Sequence, residues 1–184
     1  MYGERFEMTE ARQPIYTANA HVTGGRAAGH GRTSDGALEV DLRLPSEMGG
    51  AGGGTNPEEL FAVGYAACFE GALGAVARRG RQEVGDVAID ARVSLIPTPE
   101  RTFQLGVELD VSLPSLADQR EAEELVAAAH RVCPYSNATR GNVDVKLIVN
   151  GRELAPGDGA PAPGDGAPAH REDQPVPGGG EPAT

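Results

Sequence analysis

The sequence predicts an α+β fold, with antiparallel sheets packed around central helices. Two β-favourable segments precede a long helical segment, and two more β-favourable segments follow it. A second helical segment and a last strand complete the pattern. Strands grouped in this way, rather than alternating singly with helices, favour α+β over a parallel βαβ sheet.

Two strands and a glycine-rich loop are predicted before the first helix. The segments IYTANAHV and ALEVDLRLP are β-favourable, the second alternates in period two, and a turn at Gly24–Gly25 follows the first. The loop GGAGGG at Gly49–Gly54 lacks the Gly-Lys-Ser/Thr ending of a phosphate loop, and no Rossmann-type strand–turn–helix frames it. Nucleotide binding is therefore disfavoured.

The first helix has a clear start. Asn56 is a strong N-cap, Pro57 suits the first helical position, and Glu59 stands three residues after the cap. We expect this helix to continue to about Arg79 and to end at Gly80.

The second half predicts a hairpin, a helix and a strand. The segments DVAIDARVSLIP and FQLGVELDVSLP form the hairpin strands, with TPERT as their turn. Ser115 and Asp118 cap a second helix that extends to roughly His130 and stops before Pro134. The segment NVDVKLIVNG is the last strand.

Composition divides the chain of 184 residues into one domain and two ends. We expect a flexible N-terminus at 1–13 and a folded domain at 14–154. From Ala155 the chain consists mainly of Pro, Gly, Ala and acidic residues, with APGDGAP repeated at 155–161 and 162–168. Such a segment buries too little apolar surface to offset its ordering entropy, so 155–184 is predicted to be a disordered tail.

The charge excludes several function classes. The net charge of -11 disfavours nucleic acid and anionic membrane surfaces as partners. The N-terminal segment has no apolar signal core, and we expect no apolar run of the roughly 18 residues that a membrane span needs. The sequence thus predicts a cytoplasmic location.

The two cysteines, Cys68 and Cys133, are the first candidates for chemistry. In a reducing compartment such a pair is more often catalytic or metal-binding than a permanent disulfide. Each could equally be a buried structural cysteine, since free Cys is among the most buried residue types. A reversible disulfide is a further possibility, but sequence cannot establish that their Cα atoms lie close together.

Three other residues have a functional and a plain interpretation. Arg26 follows two glycines and is suited either to lowering a thiol pKa or to a solvated loop. Glu58 lies in the first turn of the Cys68 helix, where acids complement the helix dipole. His130 with either cysteine is a candidate thiol hydrolase dyad, or simply a histidine at a helix end. Two Cys and a His have no recognisable metal-site spacing.

Three segments carry a family resemblance. IYTANAHVTGGRAAGHGRTSDGALEVDL, GTNPEELFAVGYAACFEGAL and VCPYSNATRGNVDVKLIV resemble the organic hydroperoxide resistance (Ohr) branch of the OsmC/Ohr family. The resemblance covers about Ile15 to Asn150. It implies that Cys68 is the peroxidatic and Cys133 the resolving cysteine. It also implies that Arg26 stabilises the thiolate and that Glu58 holds this arginine.

The resemblance implies a reaction and its partners. An organic hydroperoxide is reduced to an alcohol through a Cys68 sulfenic acid and a Cys68–Cys133 disulfide, which a lipoyl-type dithiol such as a dihydrolipoyl group resets. It further implies an intertwined homodimer without metal or organic cofactor. The competing hypothesis is a thiol-based redox sensor, or a ligand-binding protein, on the same fold with slow turnover.

Helix geometry adds an expectation about the dimer. Glu58 and Cys68 are ten residues apart, which is about 15 Å of rise on an unbroken helix. They can share a site if the helix breaks, for instance at Gly64, or if two such helices cross antiparallel.

An apolar wall for the substrate is expected from Phe61 and Phe69, with Tyr135 at its edge.

Overall fold

The computed structural model describes residues 13–155. They form an antiparallel sheet, a second sheet with one parallel strand pair, and a long central helix. The predictions for the chain ends, 1–13 and 155–184, fall almost wholly outside these residues and stay predictions. In chain order the elements are β1 Ala20–Thr23, α1 Gly25–Ala28, β2 Gly29–Thr33, β3 Glu39–Arg43, a 3-10 turn Ser46–Met48, α2 Pro57–Gly80, β4 Ala88–Pro97, β5 Phe103–Ser112, α3 Gln119–Val132, α4 Pro134–Thr139, β6 Asp144–Val149 and β7 Arg152–Glu153.

The N-terminal sheet has the order β1-β2-β3, and both strand pairs are antiparallel. The sequence prediction found β3 but placed its other strand too early, because β1 begins at Ala20 rather than at Ile15. It missed β2, whose sequence GHGRT contains no apolar residue to reveal an alternation. Gly24 and Gly25 both have positive φ, at 72° and 67°, so the predicted turn is present and leads into α1.

Helix α2 confirms the predicted start and end. The Asn56 side chain accepts a hydrogen bond from the backbone N–H of Glu59, and Pro57 is the first helical residue. The helix runs unbroken through Gly64 to Gly80, and Arg81 ends it in a left-handed conformation. Because the helix is continuous, the predicted alternative of a break at Gly64 is wrong.

The second sheet has the order β4-β5-β6-β7. The predicted hairpin is confirmed, with Ala88 opposite Ser112 and Pro97 opposite Phe103. β6 pairs with β5 in parallel, and α3 and α4 form the crossover between them, so this one strand pair departs from the antiparallel sheets predicted for the α+β fold. Asp118 caps α3, whereas Ser115, which was predicted to share in the cap, lies three residues before it. Pro134 begins α4 rather than only ending a helix. A proline suits the first helical position as well as a helix end.

The core lies between α2, α3 and one face of the second sheet. Its buried residues extend from Tyr65 to Leu154, and they include none from β1, β2 or β3. Ala, Leu and Val supply most of them, as expected from a chain without tryptophan. The N-terminal sheet therefore lies outside the continuous core of the chain, and all four residues of β1 are exposed.

Helix α2 also corrects the expectation about apolar runs. The helix has 24 residues and contains an 18-residue window with a mean hydropathy of 1.6, so it is long and apolar enough to pass a length-and-composition test for a membrane span. One such helix is weak evidence, because the central helix of a globular core passes the same test. Here Tyr65, Phe69 and Leu73 are completely buried against protein.

Candidate active site

Helix α2 places Cys68 against the segment that follows α3. Phe61, Tyr65 and Cys68 are spaced by four and three residues, so they share one face of the helix. That face contacts α4 and the residue before it. Cys68 is half-buried there.

Cys133 is completely buried at the joint between α3 and α4, where the backbone is extended. Its Sγ lies 3.6 Å from the Sγ of Cys68, and both cysteines are free thiols. A disulfide needs about 2.05 Å between the sulfurs, so side-chain rotation can close most of the remaining gap. The structure thus brings together the two cysteines that the sequence singled out 65 positions apart.

The environment of Cys68 within one chain favours its protonated form. Burial raises the pKa of Cys68 above its usual value. The neighbouring Cys133 raises the pKa further, whereas the backbone N–H of Tyr135 lowers it by hydrogen bonding to the sulfur. No cation is among the causes of the shift.

Arg26 and Glu58 form a second pair. Arg26 lies on α1, Glu58 lies in the first turn of α2, and the distance from Arg26 Nη2 to a Glu58 carboxylate oxygen is 2.5 Å. The Arg26 side chain is 37% exposed and that of Glu58 is 17% exposed. Among the described residues, the buried Nε of Arg26 has no hydrogen-bond partner. The guanidinium therefore keeps donor capacity beyond the ion pair.

The Arg26–Glu58 pair and the Cys68–Cys133 pair contact α2 at different points along its length. Ten residues of unbroken helix separate Glu58 from Cys68, which corresponds to about 15 Å along the axis. The structure therefore unites each predicted pair but does not unite the two pairs within one chain.

Aromatic side chains line the region between the two pairs. The rings of Phe61 and Tyr135 are stacked at 5.8 Å between centroids, and Tyr65 contacts both. A side chain at Gly64 would meet the Tyr135 hydroxyl at 3.3 Å, so glycine leaves room for that ring. Phe69 differs from the other two predicted wall residues because it is completely buried, next to His130.

His130 does not form the catalytic dyad considered from sequence. Among the described residues, its buried Nδ1 has no hydrogen-bond partner. Burial lowers the pKa of His130, and the positive charges of Arg140 and Arg131 lower it further. Within residues 13–155 no group of three or more His, Cys, Asp or Glu side chains is placed to hold a metal ion.

Comparison with known proteins decides the family. A family model described as OsmC-like protein matches residues 50–148. The chain belongs to the OsmC/Ohr family. It is 51% identical over 142 residues to the organic hydroperoxide resistance protein of Xanthomonas axonopodis pv. citri, a match that covers 76% of this chain and 98% of that protein. It is 49% identical over 134 residues to OhrB of Bacillus subtilis, covering 72% and 96%.

A solved structure agrees with this assignment. An organic hydroperoxide resistance protein from Legionella pneumophila superposes with a TM-score of 0.71 at 55% identity, and the match covers 74% of this chain and 98% of that one. The chain thus lies in the Ohr branch, which confirms the resemblance predicted from the cysteine motifs.

Sequence reasoning missed three residues beside the cysteines. Tyr65 donates a hydrogen bond to the hydroxyl of Ser136 at 3.0 Å, and the hydroxyl of Thr139 lies 3.2 Å away. All three side chains are buried. Their contact joins positions more than 70 residues apart, so no local pattern in the sequence announces it.

Proposed function

We propose that this chain is a thiol-dependent peroxidase that reduces organic hydroperoxides to alcohols. The observation that carries the proposal is the 3.6 Å approach of the Cys68 and Cys133 sulfurs. Two free thiols at that distance can alternate between a dithiol and a disulfide without a change of fold. Relatives named for organic hydroperoxide resistance, at about half identity over most of the chain, support the same activity.

The reaction follows from the unequal exposure of the two thiols. Cys68 is the more accessible, so its thiolate attacks one peroxide oxygen, the O–O bond breaks, and the alcohol leaves after taking a proton. Cys68 is then a sulfenic acid. The thiol of Cys133 displaces the hydroxyl group as water and forms the disulfide. An external dithiol reduces that disulfide by exchange, and we assign this step to a lipoyl-type dithiol.

The active thiolate needs a cation that one chain does not place near it. Burial, together with the neighbouring Cys133, holds the pKa of Cys68 high, whereas a nearby guanidinium lowers a thiol pKa. We therefore assign the charge to Arg26 of the partner subunit in a homodimer, held by Glu58 of that same subunit. Each of the two sites is then composite.

An antiparallel crossing of two α2 helices would bring these residues together. If Glu58 of one helix faces Cys68 of the other, the crossing is centred on Val63, halfway between them. Val63 is 71% exposed in the single chain, and Ala67 and Gly71, at four-residue steps beyond it, are exposed as well. Such small residues let two helix backbones approach closely. The uncovered N-terminal sheet, with its exposed β1, supports an intertwined dimer too.

The surface near the site suits an apolar substrate. Phe61 and Tyr135 offer stacked rings on the face of α2 that carries Cys68. A crevice of about 570 Å³ at the Glu58 end of α2 is lined by apolar residues of β4 and by the carboxylates of Glu47, Glu58 and Glu59. Each methylene that a substrate buries there contributes roughly 0.8 kcal/mol. Three or four methylenes would give on the order of a hundredfold preference, if the burial is expressed in catalytic efficiency.

A substrate series with a dithiol reductant tests the function. Cumene, tert-butyl and fatty-acid hydroperoxides are expected to show far higher kcat/KM than hydrogen peroxide, with dihydrolipoate supporting turnover better than a monothiol. Equal efficiency with hydrogen peroxide would contradict the apolar site. The alternative, a redox sensor or ligand-binding protein in the cytoplasm, predicts one oxidation per chain and negligible steady-state turnover.

A further inference from the structure

A second contact lies one helical turn away from the two sulfurs. Tyr65 precedes Cys68 by three residues on α2, and Ser136 follows Cys133 by three residues on α4. The Tyr65 hydroxyl donates to Ser136 Oγ at 3.0 Å and lies 3.2 Å from Thr139 Oγ1. The same two segments that bring the thiols together are thus joined by a cluster of hydroxyl groups.

The backbone alone does not fix Cys133 against α2. Cys133 ends α3 and begins α4 with an extended conformation, at φ -64° and ψ 124°. Because the helical hydrogen-bond pattern is interrupted there, α4 needs its own attachment to α2. The hydroxyl cluster supplies a directional attachment, and the stacking of Tyr135 on Phe61 supplies an apolar one.

The cluster is buried and hydrogen-bonded to the backbone. Tyr65 and Ser136 have no exposed surface, and Thr139 is 5% exposed. The Thr139 hydroxyl lies 2.9 Å from the carbonyl oxygen of Tyr135, to which it donates. Burial raises the pKa of Tyr65, so the phenol keeps the proton that it donates to Ser136 across the neutral range. Water competes little for these bonds.

We propose that Tyr65, with Ser136 and Thr139, is a positioning clamp that holds Cys133 within reach of oxidised Cys68. The proposal rests on the peroxidase function above. In this role Tyr65 acts through the placement of Cys133. The step that it assists converts a sulfenic acid and a thiol into a disulfide and one molecule of water.

The clamp matters because disulfide closure competes with a second oxidation. A Cys68 sulfenic acid that meets another hydroperoxide becomes a sulfinic acid, and an alcohol is released. Closure wins when the Cys133 sulfur is already in place, and the 3.6 Å separation provides that. A misplacement of about 1 Å can cost such a step up to about a hundredfold in rate.

The Tyr65→Phe variant of the full chain tests the clamp, because it keeps the ring that contacts Phe61 and Tyr135 and removes only the hydroxyl. We expect the first oxidation of Cys68 by cumene hydroperoxide to keep its rate. Disulfide closure should slow by about tenfold, and sulfinic acid per turnover should rise accordingly. Rapid-quench mass spectrometry measures both products.

Two companion variants separate positioning from general stability. Ser136→Ala removes the partner hydroxyl, so it should reproduce the Tyr65→Phe effect, and the double variant should add little to it. Val111→Ala creates a cavity on β5, a strand that carries neither cysteine and none of the three clamp residues. It should lower the melting temperature without changing the ratio of disulfide to sulfinic acid. If Val111→Ala changed that ratio as much as Tyr65→Phe, the clamp would be only a stability effect and the proposal would be wrong.

An equilibrium measurement needs no peroxide. In a dithiol redox buffer, Tyr65→Phe should raise the reduction potential of the Cys68–Cys133 disulfide by about 30 mV, which is the tenfold loss converted to potential. Suppose that peroxide converts the wild-type thiols to the disulfide, and that Tyr65→Phe has the same closure rate and the same reduction potential as the wild type. The clamp is then refuted and the peroxidase function stands. If peroxide does not oxidise wild-type Cys68, the peroxidase fails, and an unshifted potential would then refute the clamp independently.

Discussion

Residues 20–55 and residues 57–154 differ in where their apolar side chains lie. In the second region Leu109 and Val111 have no exposed surface, and they belong to one continuous core. In the first region Val22 is 56% exposed and Leu38 is 45% exposed, and the buried Leu42 stands outside that core. One region is folded around its own interior, whereas the other leaves much of its apolar surface uncovered.

The difference explains why the candidate site is divided. The region with its own core carries both thiols, already 3.6 Å apart. The region without a core carries Arg26, which is tied to the start of α2 through Glu58. A second copy of the chain would cover the exposed surface and bring the missing cation to Cys68. In the proposed dimer, the same subunit contact would therefore cover the apolar surface and stabilise the thiolate.

The largest expected effect is that of removing a sulfur. Cys68→Ser should abolish peroxide reduction, because the thiol that remains beside it, Cys133, is completely buried. Cys133→Ser should allow one oxidation and then accumulate sulfinic acid at Cys68, since no thiol is left to close the disulfide. Mass spectrometry after one equivalent of hydroperoxide measures both, and finding Cys133 oxidised first would reverse the two roles.

A charge at the expected helix crossing should disrupt the dimer. Val63→Asp places two aspartates opposite each other at the centre of the crossing, so the chain should become monomeric and lose activity by at least about tenfold. Arg79→Asp is the control, because it adds an aspartate at an exposed position near the far end of α2. Sedimentation measures the oligomeric state of both variants, and peroxide kinetics measures their activity. A monomeric Val63→Asp variant with full activity would place the whole site within one chain.

Loss of the cation should change the pH profile. In Arg26→Ala the pKa of Cys68 should rise, because burial is then unopposed by a guanidinium. When the pKa of a thiol lies above the ambient pH, each further rise of one in that pKa lowers the thiolate fraction about tenfold. Activity at neutral pH should therefore fall and recover as the pH increases. Glu58→Ala should act in the same direction but more weakly. The rate of thiol alkylation against pH reports both, and an unshifted Arg26→Ala profile would make that arginine a surface residue.

The smallest expected effect is that of the C-terminal segment. Deleting Ala155–Thr184 removes Pro, Gly, Ala and acidic residues with no periodic apolar pattern. The melting temperature and the peroxidase rate should stay unchanged. A marked fall in melting temperature would show instead that this segment packs on the domain.

Local patterns in the sequence predicted the elements that have strong local signals. Asn56 and Pro57 identified the start of α2, and Asp118 that of α3, because caps act within a few residues. Strand β2 was missed because its stability comes from hydrogen bonds to both neighbours rather than from apolar side chains. The helix after Pro134 was missed because a proline ends one helix and begins another equally well.

The candidate site was predicted to a similar degree. The motifs around Cys68 and Cys133 identified the thiols, and the resemblance identified Arg26 and Glu58, which the structure places in contact. The hydroxyl cluster of Tyr65, Ser136 and Thr139 could not be predicted, since it exists only after α4 has packed on α2. Periodicity in the sequence shows which residues share a helix face, but it does not show which element packs against that face.

Mixed dimers test the central claim most directly. Cys68→Ser chains and Arg26→Ala chains are each expected to be inactive or nearly so as homodimers. When the two are unfolded together and refolded, a composite site predicts that every mixed dimer regains one complete site. Random pairing in a two-fold dimer would then restore about a quarter of the wild-type rate. Recovery of that size supports a site shared between subunits, and a mixture no more active than the sum of the two variants would contradict it.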